Sequence, residues 1–181
     1  MQTRFSDELG KIVEYARDEA MRTGYYAICT EHLLLGMLRH GDNKACRLME
    51  SLGEDLDQLK RRIDAQILRS ESIPYDDMDD IYLSRDAQNS LSLSVLEASM
   101  RGITEAGSAE LLLALTRAEG DPCREILASS GIDRSALLAL LGRETEIRAS
   151  SVPAAEDIQK ALLFGLDQAS NYIDTDTKFF S

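Results

Sequence analysis

Two side chains with catalytic potential, Cys29 and His32, stand three positions apart in this chain. A thiol and an imidazole at this spacing suit a nucleophile with its base, or two ligands of a metal ion. A metal needs three or four ligands, however, and no second cysteine–histidine pair lies nearby in the sequence. The chain also lacks a Gly-x-x-x-x-Gly-Lys-[Ser/Thr] phosphate loop, a Gly-x-Ser-x-Gly elbow and a His-Glu-x-x-His zinc helix. We therefore expect no enzymatic activity, no metal and no cofactor.

Carboxylates offer a second kind of chemistry. Glu19 and Glu97 are candidates for a general acid and base. Each falls inside a predicted helix, where Glu is a favoured residue and can hold a charged neighbour. The sequence favours this structural role for both.

Glu31 is the strongest candidate for binding, because it follows Thr30, the predicted N-cap of a leucine-rich helix. A carboxylate beside free helix N–H groups forms a mixed site. The carboxylate can pair with a guanidinium, while the N–H groups can bind an anion. Such a site suits an arginine side chain, and suits still better one that carries a phosphate. The alternative, that Glu31 only complements the helix dipole, is equally compatible with the sequence.

Helical periodicity and capping residues define the elements that position these side chains. An acidic segment with Pro74 and four aspartates follows the fourth helix and is predicted to be a linker. It lacks the glycine and the bidentate Glu of a calcium loop, which favours a solvated loop over a cation site. The predicted helices begin at Ser6 and end at Gly24, begin at Thr30 and end near Gly41, span 44–52, and begin after Asp55.

The same pattern then starts again 78 positions later. Residues 5–64 align with residues 83–142 without a gap, and twelve of the sixty pairs are identical. Roughly four identities are expected by chance from average residue usage. Two four-helix units of this kind pack together with pseudo-twofold symmetry, because neither buries its apolar face well alone. The predicted divisions are 1–69 (first repeat), 70–82 (acidic linker), 83–142 (second repeat, in one domain with the first) and 143–181 (hinge, extra helix and frayed tail).

Composition limits the classes of partner. The net charge of −12 argues against a nucleic-acid-binding face and suits basic peptides or a basic protein. Three widely spaced cysteines indicate reduced thiols rather than a disulfide framework. No apolar run approaches the roughly 20 residues that span a bilayer, and the N-terminus lacks the core of a signal peptide. We expect a soluble cytoplasmic protein without a membrane partner.

The repeat also carries a recognisable set of motifs. It resembles the Clp repeat domain, the N-terminal domain of AAA+ unfoldases of the ClpA, ClpC and ClpB class, and is most similar to the ClpC branch. The match covers about residues 5–142 and is stronger in the first repeat. The matching residues are Phe5-Ser6, Gly24, Thr30-Glu31-His32-Leu33-Leu34-Leu35-Gly36 and Leu52-Gly53.

The resemblance implies an all-α fold of eight helices and a receptor role. Such domains bind adaptors or substrates and pass them to a hexameric ATPase ring that feeds a ClpP-type peptidase. ClpC-like domains bind phosphoarginine at two repeat-related sites, each using the Glu of the Thr-Glu-His motif and a hydroxyl residue that opens the first helix. Carried over by motif, the first site would use Glu31, Thr30 and Ser6.

The second copy departs from the motif. Ser84 keeps the hydroxyl, but Thr-Glu-His has become Ser108-Ala109-Glu110, so the acid stands one residue later. One residue along a helix is a rotation of about 100°. The second site, Ser84 with Ser108 and Glu110, is therefore expected to be degenerate.

Two functional hypotheses remain open. In the first, the chain recognises substrates or adaptors for a Clp unfoldase. In the second, it is a free-standing accessory protein that docks on a Clp complex through the predicted helix at 154–173 without reading substrate. The partners expected are accordingly a Clp unfoldase with ClpP, adaptor proteins or substrate proteins.

Overall fold

The computed structural model describes residues 3–150, with side chains up to residue 145. Residues 3–140 belong to one compact unit, and a second unit begins at Leu141. The predicted helix at 154–173 and the tail lie outside the described residues. The helices are α1 (Asp7–Thr23), α2 (Thr30–His40), α3 (Lys44–Ser51), α4 (Leu56–Ile67), a 3-10 helix (Tyr75–Asp80), α5 (Arg85–Met100), α6 (Ser108–Leu115), α7 (Pro122–Ser129) and α8 (Arg134–Ser150).

The prediction of an all-α fold built from two four-helix repeats is confirmed. Three of the predicted helix starts are capped as expected, because Ser6, Asp55 and Ser84 accept hydrogen bonds from backbone N–H groups of the turns that follow. Helix α8 continues to Ser150, where a hinge was predicted. Arg, Glu and Ala after Gly142 favour helix, and no proline intervenes before Pro153.

Helices α2 and α6 form the centre of the domain. Every residue of α6 is buried, and the triple leucines of both helices are almost completely inaccessible. Helix α2 approaches α1 so closely that a Cβ on Gly36 would lie 2.5 Å from the Ile12 carbonyl oxygen. The repeated leucines therefore belong to the fold, as the sequence predicts.

Two short strand pairs cross between the repeats, and the sequence analysis did not anticipate them. Strand β1 (Arg4–Phe5) pairs in parallel with β4 (Glu105–Ala106), and β2 (Ala27–Ile28) pairs in parallel with β3 (Tyr82–Leu83). The segment that precedes the first helix of each repeat thus lies beside the segment that precedes the second helix of the other repeat. This exchange follows the pseudo-twofold relation between the repeats.

The acidic segment between the repeats is fixed to the first repeat. The Arg69 N–H donates to the Thr23 carbonyl oxygen at 3.0 Å, and the Ile73 N–H donates to that of Met21 at 2.9 Å. A Cβ on Gly24, which has φ of +90°, would lie 2.3 Å from the Glu71 carbonyl oxygen. Glycine at position 24 therefore both ends α1 and admits the linker.

Candidate functional site

The crossed strands decide which helix starts lie together. The Ser84 N–H donates to the Ile28 carbonyl oxygen at 3.0 Å, which brings the start of α5 to the start of α2. The Ser6 N–H donates to the Ala106 carbonyl oxygen at 2.9 Å, which brings the start of α1 to the start of α6. Each candidate site is therefore built from both repeats.

The predicted grouping of Glu31 with Ser6 is wrong. The hydroxyl residue at the Glu31 helix start is Ser84, which hydrogen-bonds the neighbouring Cys29 side chain. Ser6 lies at the other pair of helix starts, with its Oγ 3.6 Å from the place of a Cβ on Gly107. Grouping within one repeat failed because helical periodicity carries no information about which segments pair across repeats.

Thr30 is the first residue of α2 rather than its N-cap, which corrects a second prediction. The N-cap is Cys29, whose N–H donates to His32 Nδ1 at 2.9 Å. The Thr30 hydroxyl is buried and donates to the two carboxylate oxygens of Asp121 at 2.9 and 3.0 Å. Asp121 in turn caps α7, so Thr30 joins α2 to the second repeat. This hydroxyl is committed to a contact inside the protein.

Glu31 has no such commitment to a cation. Its side chain is half-buried, and burial raises its pKa above the ordinary value, with further increases from the negative charges of Asp121 and Asp86. Its own backbone N–H and the Thr30 hydroxyl lower the pKa in part. Among the residues that the structure describes, no Lys or Arg forms an ion pair with Glu31. The start of α2 is thus a concentration of negative charge that a bound cation would relieve.

Cys29 and His32 do not form a catalytic pair. His32 Nδ1 accepts the Cys29 N–H, and Nε2 lies 2.9 Å from the Thr23 hydroxyl. Burial lowers the pKa of His32 to about 4, so the ring is neutral with its proton on Nε2. Burial also raises the pKa of the Cys29 thiol. Both ring nitrogens serve the helix start, and the thiol is not activated.

Glu110 occupies the structural place of His32 in the second repeat. Its Oε2 accepts the Gly107 N–H at 2.8 Å, as His32 accepts the Cys29 N–H, and its Oε1 pairs with Arg101 at 2.9 Å. Arg101 itself aligns with Thr23, so a neutral pair in one repeat is replaced by an ion pair in the other. Glu110 is therefore already paired, which agrees with the expectation of a degenerate second site.

The remaining predicted residues of the second site are separated. Ser84 lies at the first site, whereas the buried Ser108 hydroxyl accepts the N–H of Ala45 at 3.1 Å. Beside Ser108 opens a cavity of about 420 Å³, which Ser6, Glu8 and Ala109 help to line. Glu8 Oε1 accepts the Ser108 N–H at 3.0 Å. Where α2 presents Glu31, this helix start presents the methyl group of Ala109.

The structural role of Glu19 and Glu97 is evident from their partners. Glu19 is 3% exposed and binds Arg22 and Arg39, while Glu97 is 0% exposed and binds Arg117 and Arg134. Arg39 and Arg117 align between the repeats, so these are the same ion pair used twice. Each carboxylate is neutralised where it is buried, which leaves it unavailable as an acid or base.

Sequence reasoning missed Asp86, Asp121 and Glu8 at the two helix starts. The repeat alignment already places Glu8 opposite Asp86, and Asp121 opposite the capping residue Asn43. That alignment could have marked them as paired positions, but their neighbours depend on the strand exchange.

Two searches of the described residues complete the site description. Residues 3–145 contain no group of three or more His, Cys, Asp or Glu side chains arranged to hold a metal ion. In the same part of the chain, no helix has the length and apolar character needed to cross a membrane.

Fold and site together define a pseudo-symmetric helical domain with helix starts exposed between its repeats and no catalytic pair at Cys29 and His32. Residues 4–130 match the family described as the Clp repeat (R) N-terminal domain. The chain belongs to this family. Its members are non-catalytic domains of Clp/Hsp100 chaperones that bind substrates or adaptors.

Individual relatives agree with this assignment. The negative regulator of genetic competence ClpC/MecB of Bacillus subtilis is 29% identical over 143 residues, covering 77% of this chain and 17% of that protein. The chloroplastic chaperone protein ClpC1 of rice is 29% identical over 164 residues, covering 88% and 18%. This chain thus spans less than a fifth of the length of these relatives.

Solved structures show the same fold. The N-terminal domain of the chaperone ClpD from Arabidopsis thaliana has a TM-score of 0.59 and 17% identity, covering 76% of this chain and 97% of that one. The Hsp104 N-terminal domain from Candida albicans has a TM-score of 0.60 and 16% identity, covering 74% and 86%.

Proposed function

We propose that this domain binds an arginine side chain of a substrate or adaptor at the start of α2, with Glu31 as the acceptor of the guanidinium. The observation that carries this proposal is a half-buried carboxylate without a cationic partner among the described residues. A guanidinium suits such a group, because its planar fork of N–H donors matches the two carboxylate oxygens.

The surrounding charges support a cationic ligand. Asp86 and Asp121 lie near enough for their charges to raise the pKa of Glu31. A guanidinium would reduce the mutual repulsion of these acids, whereas a phosphate would add to it. We therefore expect an unmodified arginine side chain to be favoured over phosphoarginine at this site.

The partner would be a flexible basic segment. The net charge of −12 attracts basic chains and raises their rate of encounter with the domain. In a Clp system such a segment would belong to a substrate or an adaptor awaiting delivery to the unfoldase ring. Delivery onward to a ClpP-type peptidase is part of the same proposal.

The direct test is calorimetric titration of the domain with a short peptide that carries a single arginine. The wild-type chain is expected to bind it weakly, with a Kd on the order of 0.1–1 mM, as one charge-assisted contact allows. Glu31→Gln should weaken binding at least roughly tenfold, because the amide keeps the shape but loses the charge. Glu14→Gln is the matched control, since Glu14 is an exposed acid on α1.

The control separates a local contact from general charge attraction. Equal losses in Glu31→Gln and Glu14→Gln would attribute the binding to net charge and defeat the proposal. So would a wild-type chain that binds a lysine peptide as tightly as the arginine peptide, because the fork geometry would then contribute nothing.

A further inference from the structure

The start of α6 already holds a negative charge that the chain itself supplies. Glu8 Oε1 accepts the N–H of Ser108, a residue one hundred positions away, at 3.0 Å. Ser108 is the first residue of α6, so this N–H is one of the donors that a helix leaves unpaired. A carboxylate in this position does what a bound anion does at a helix N-terminus.

The groups around this contact are otherwise satisfied. Glu110 pairs with Arg101 and with the Gly107 N–H, and Glu105 pairs with Arg4 at 2.7 Å. The Ser6 hydroxyl accepts the Leu9 N–H as the N-cap of α1. Glu8 is therefore the carboxylate that fills the anion position at this helix start.

The neighbouring cavity would admit a ligand of the size of phosphate. Its volume is about 420 Å³, and it extends from Ser6 and Glu8 to Ala109. Ala109 offers no carboxylate to a guanidinium, so the unpaired N–H groups are the feature of this helix start to which a charged ligand would bind. Such donors attract anions. Glu8 stands where that anion would bind.

The repeat-related residue carries the same charge at the other helix start. Glu8 aligns with Asp86, and Asp86 lies within electrostatic reach of Glu31. Both helix starts therefore receive a carboxylate from the first turn of the adjoining helix. The two copies differ in one respect, since α2 has Glu31 to receive a cation and α6 has Ala109.

We propose that Glu8 is a specificity residue that acts as an internal anion, excludes phosphate from the start of α6 and so restricts the domain to unphosphorylated ligands. Asp86 makes the same contribution at α2. The inference rests on the proposed function in taking the helix starts as the ligand-binding part of the domain. Phosphate competes with Glu8 for the Ser108 N–H and is repelled by the charge that Glu8 places there.

The test is an NMR titration with inorganic phosphate that follows the backbone amides of Ser108 and Ala109. The wild-type chain is expected to show no saturable shift at either amide. Glu8→Ala should open the position and bind phosphate at least roughly tenfold more tightly than wild type, with a Kd in the order of 1–10 mM. Asp7→Ala is the matched control, since it removes an exposed acid from the same turn.

A second variant guards against misfolding. Glu8→Gln keeps a neutral acceptor for the Ser108 N–H, and it should also gain phosphate binding, although less than Glu8→Ala. If Glu8→Ala loses helical circular dichroism, the decision rests on Glu8→Gln. Saturable phosphate binding at Ser108 in the wild type, or no gain in a folded Glu8 variant compared with Asp7→Ala, would overturn the inference.

A phosphoarginine arm distinguishes this inference from the proposed function. Free phosphoarginine should bind Glu8→Ala at Ser108 and leave wild-type Ser108 unperturbed. The arginine peptide is followed separately at the amides of Thr30 and Glu31. Loss of that second signal alone would defeat the arginine site and leave the role of Glu8 standing.

Discussion

At the scale of single residues, the site is defined by how each polar group at a helix start is used. His32, Glu110, Thr30 and Ser108 all satisfy groups of the protein itself, and Glu31 does not form an ion pair among the described residues. The sequence predicted Glu31 from its place after a helix cap. It could not separate Glu31 from Thr30, because a hydroxyl that binds a ligand and one that binds Asp121 have the same local sequence.

The first prediction at this scale concerns the stability cost of Glu31. Folding raises its pKa, so the folded state holds the proton more tightly than the unfolded chain, and ionisation above the ordinary Glu range disfavours folding. Glu31→Gln should therefore stabilise the free domain at pH 7 by roughly 0.5 kcal/mol, as expected for relief of partly screened repulsion.

Urea unfolding at pH 7 measures this difference, with Glu14→Gln as the control for net charge. A Glu31→Gln chain less stable than the control variant would mean that Glu31 has a stabilising partner, and would contradict its assignment as a site residue. Gain of stability together with loss of arginine binding is the combination expected of a functional acid.

His32 should govern part of the pH dependence of stability. Its pKa falls from 6.5 to about 4 on folding, so the unfolded chain binds a proton more readily between these values. The stabilisation is complete above pH 6.5 and is lost as the pH falls towards 4, by at most about 3 kcal/mol. Urea unfolding at a series of pH values measures the slope.

The comparison variant is His32→Gln. An amide oxygen can accept the Cys29 N–H, as the Glu110 carboxylate accepts the Gly107 N–H, and it does not titrate. The variant should show a flatter pH dependence between 6.5 and 4 than the wild type. Identical slopes would show that His32 is protonated without penalty.

At the scale of the elements, capping residues and periodicity predict the helices well, because both are local. Ser6, Gly24 and Asp55 mark boundaries that the structure confirms. The strand exchange could not be predicted, since strands of two residues carry no periodic signal. Consequently the residues of each site were known, and their grouping was not.

Two glycines test the packing of α1 against α2. A Cβ on Gly36 would lie 2.5 Å from the Ile12 carbonyl oxygen and 2.7 Å from the Ala16 nitrogen. Both are backbone atoms and cannot move without shifting the helix, so Gly36→Ala should destabilise the domain by about 2–4 kcal/mol. Gly10 of α1 has nothing within 4 Å of its Cβ position, so Gly10→Ala should stabilise by about 0.5–1 kcal/mol.

Thermal unfolding compares the two variants with the wild type. Opposite signs are expected, because the same substitution adds a clash at one helical glycine and removes backbone freedom at the other. A stabilised Gly36→Ala chain would contradict the close approach of α2 to α1. The second repeat has Ala114 at the aligned position, so the two copies tolerate different separations.

At the scale of the whole molecule, pseudo-symmetry in the fold is combined with asymmetry in the ligand sites. Repeat identity predicts a shared core, and the buried leucines of α2 and α6 confirm it. The differences between copies predict unequal sites, and the structure adds that each site draws residues from both repeats. We therefore predict that one arginine side chain binds per domain, at the junction of α2 and α5.

The most direct measurement is an NMR titration of the wild-type domain with a peptide carrying one arginine. We predict saturable shifts at the amides of Thr30, Glu31, Arg85 and Asp86, a stoichiometry of one, and no saturable shift at Ser108 or Ala109. Shifts centred on Ser108, two equivalent sites, or tighter binding of the phosphoarginine form of the peptide would contradict the assignment of Glu31 as the arginine acceptor.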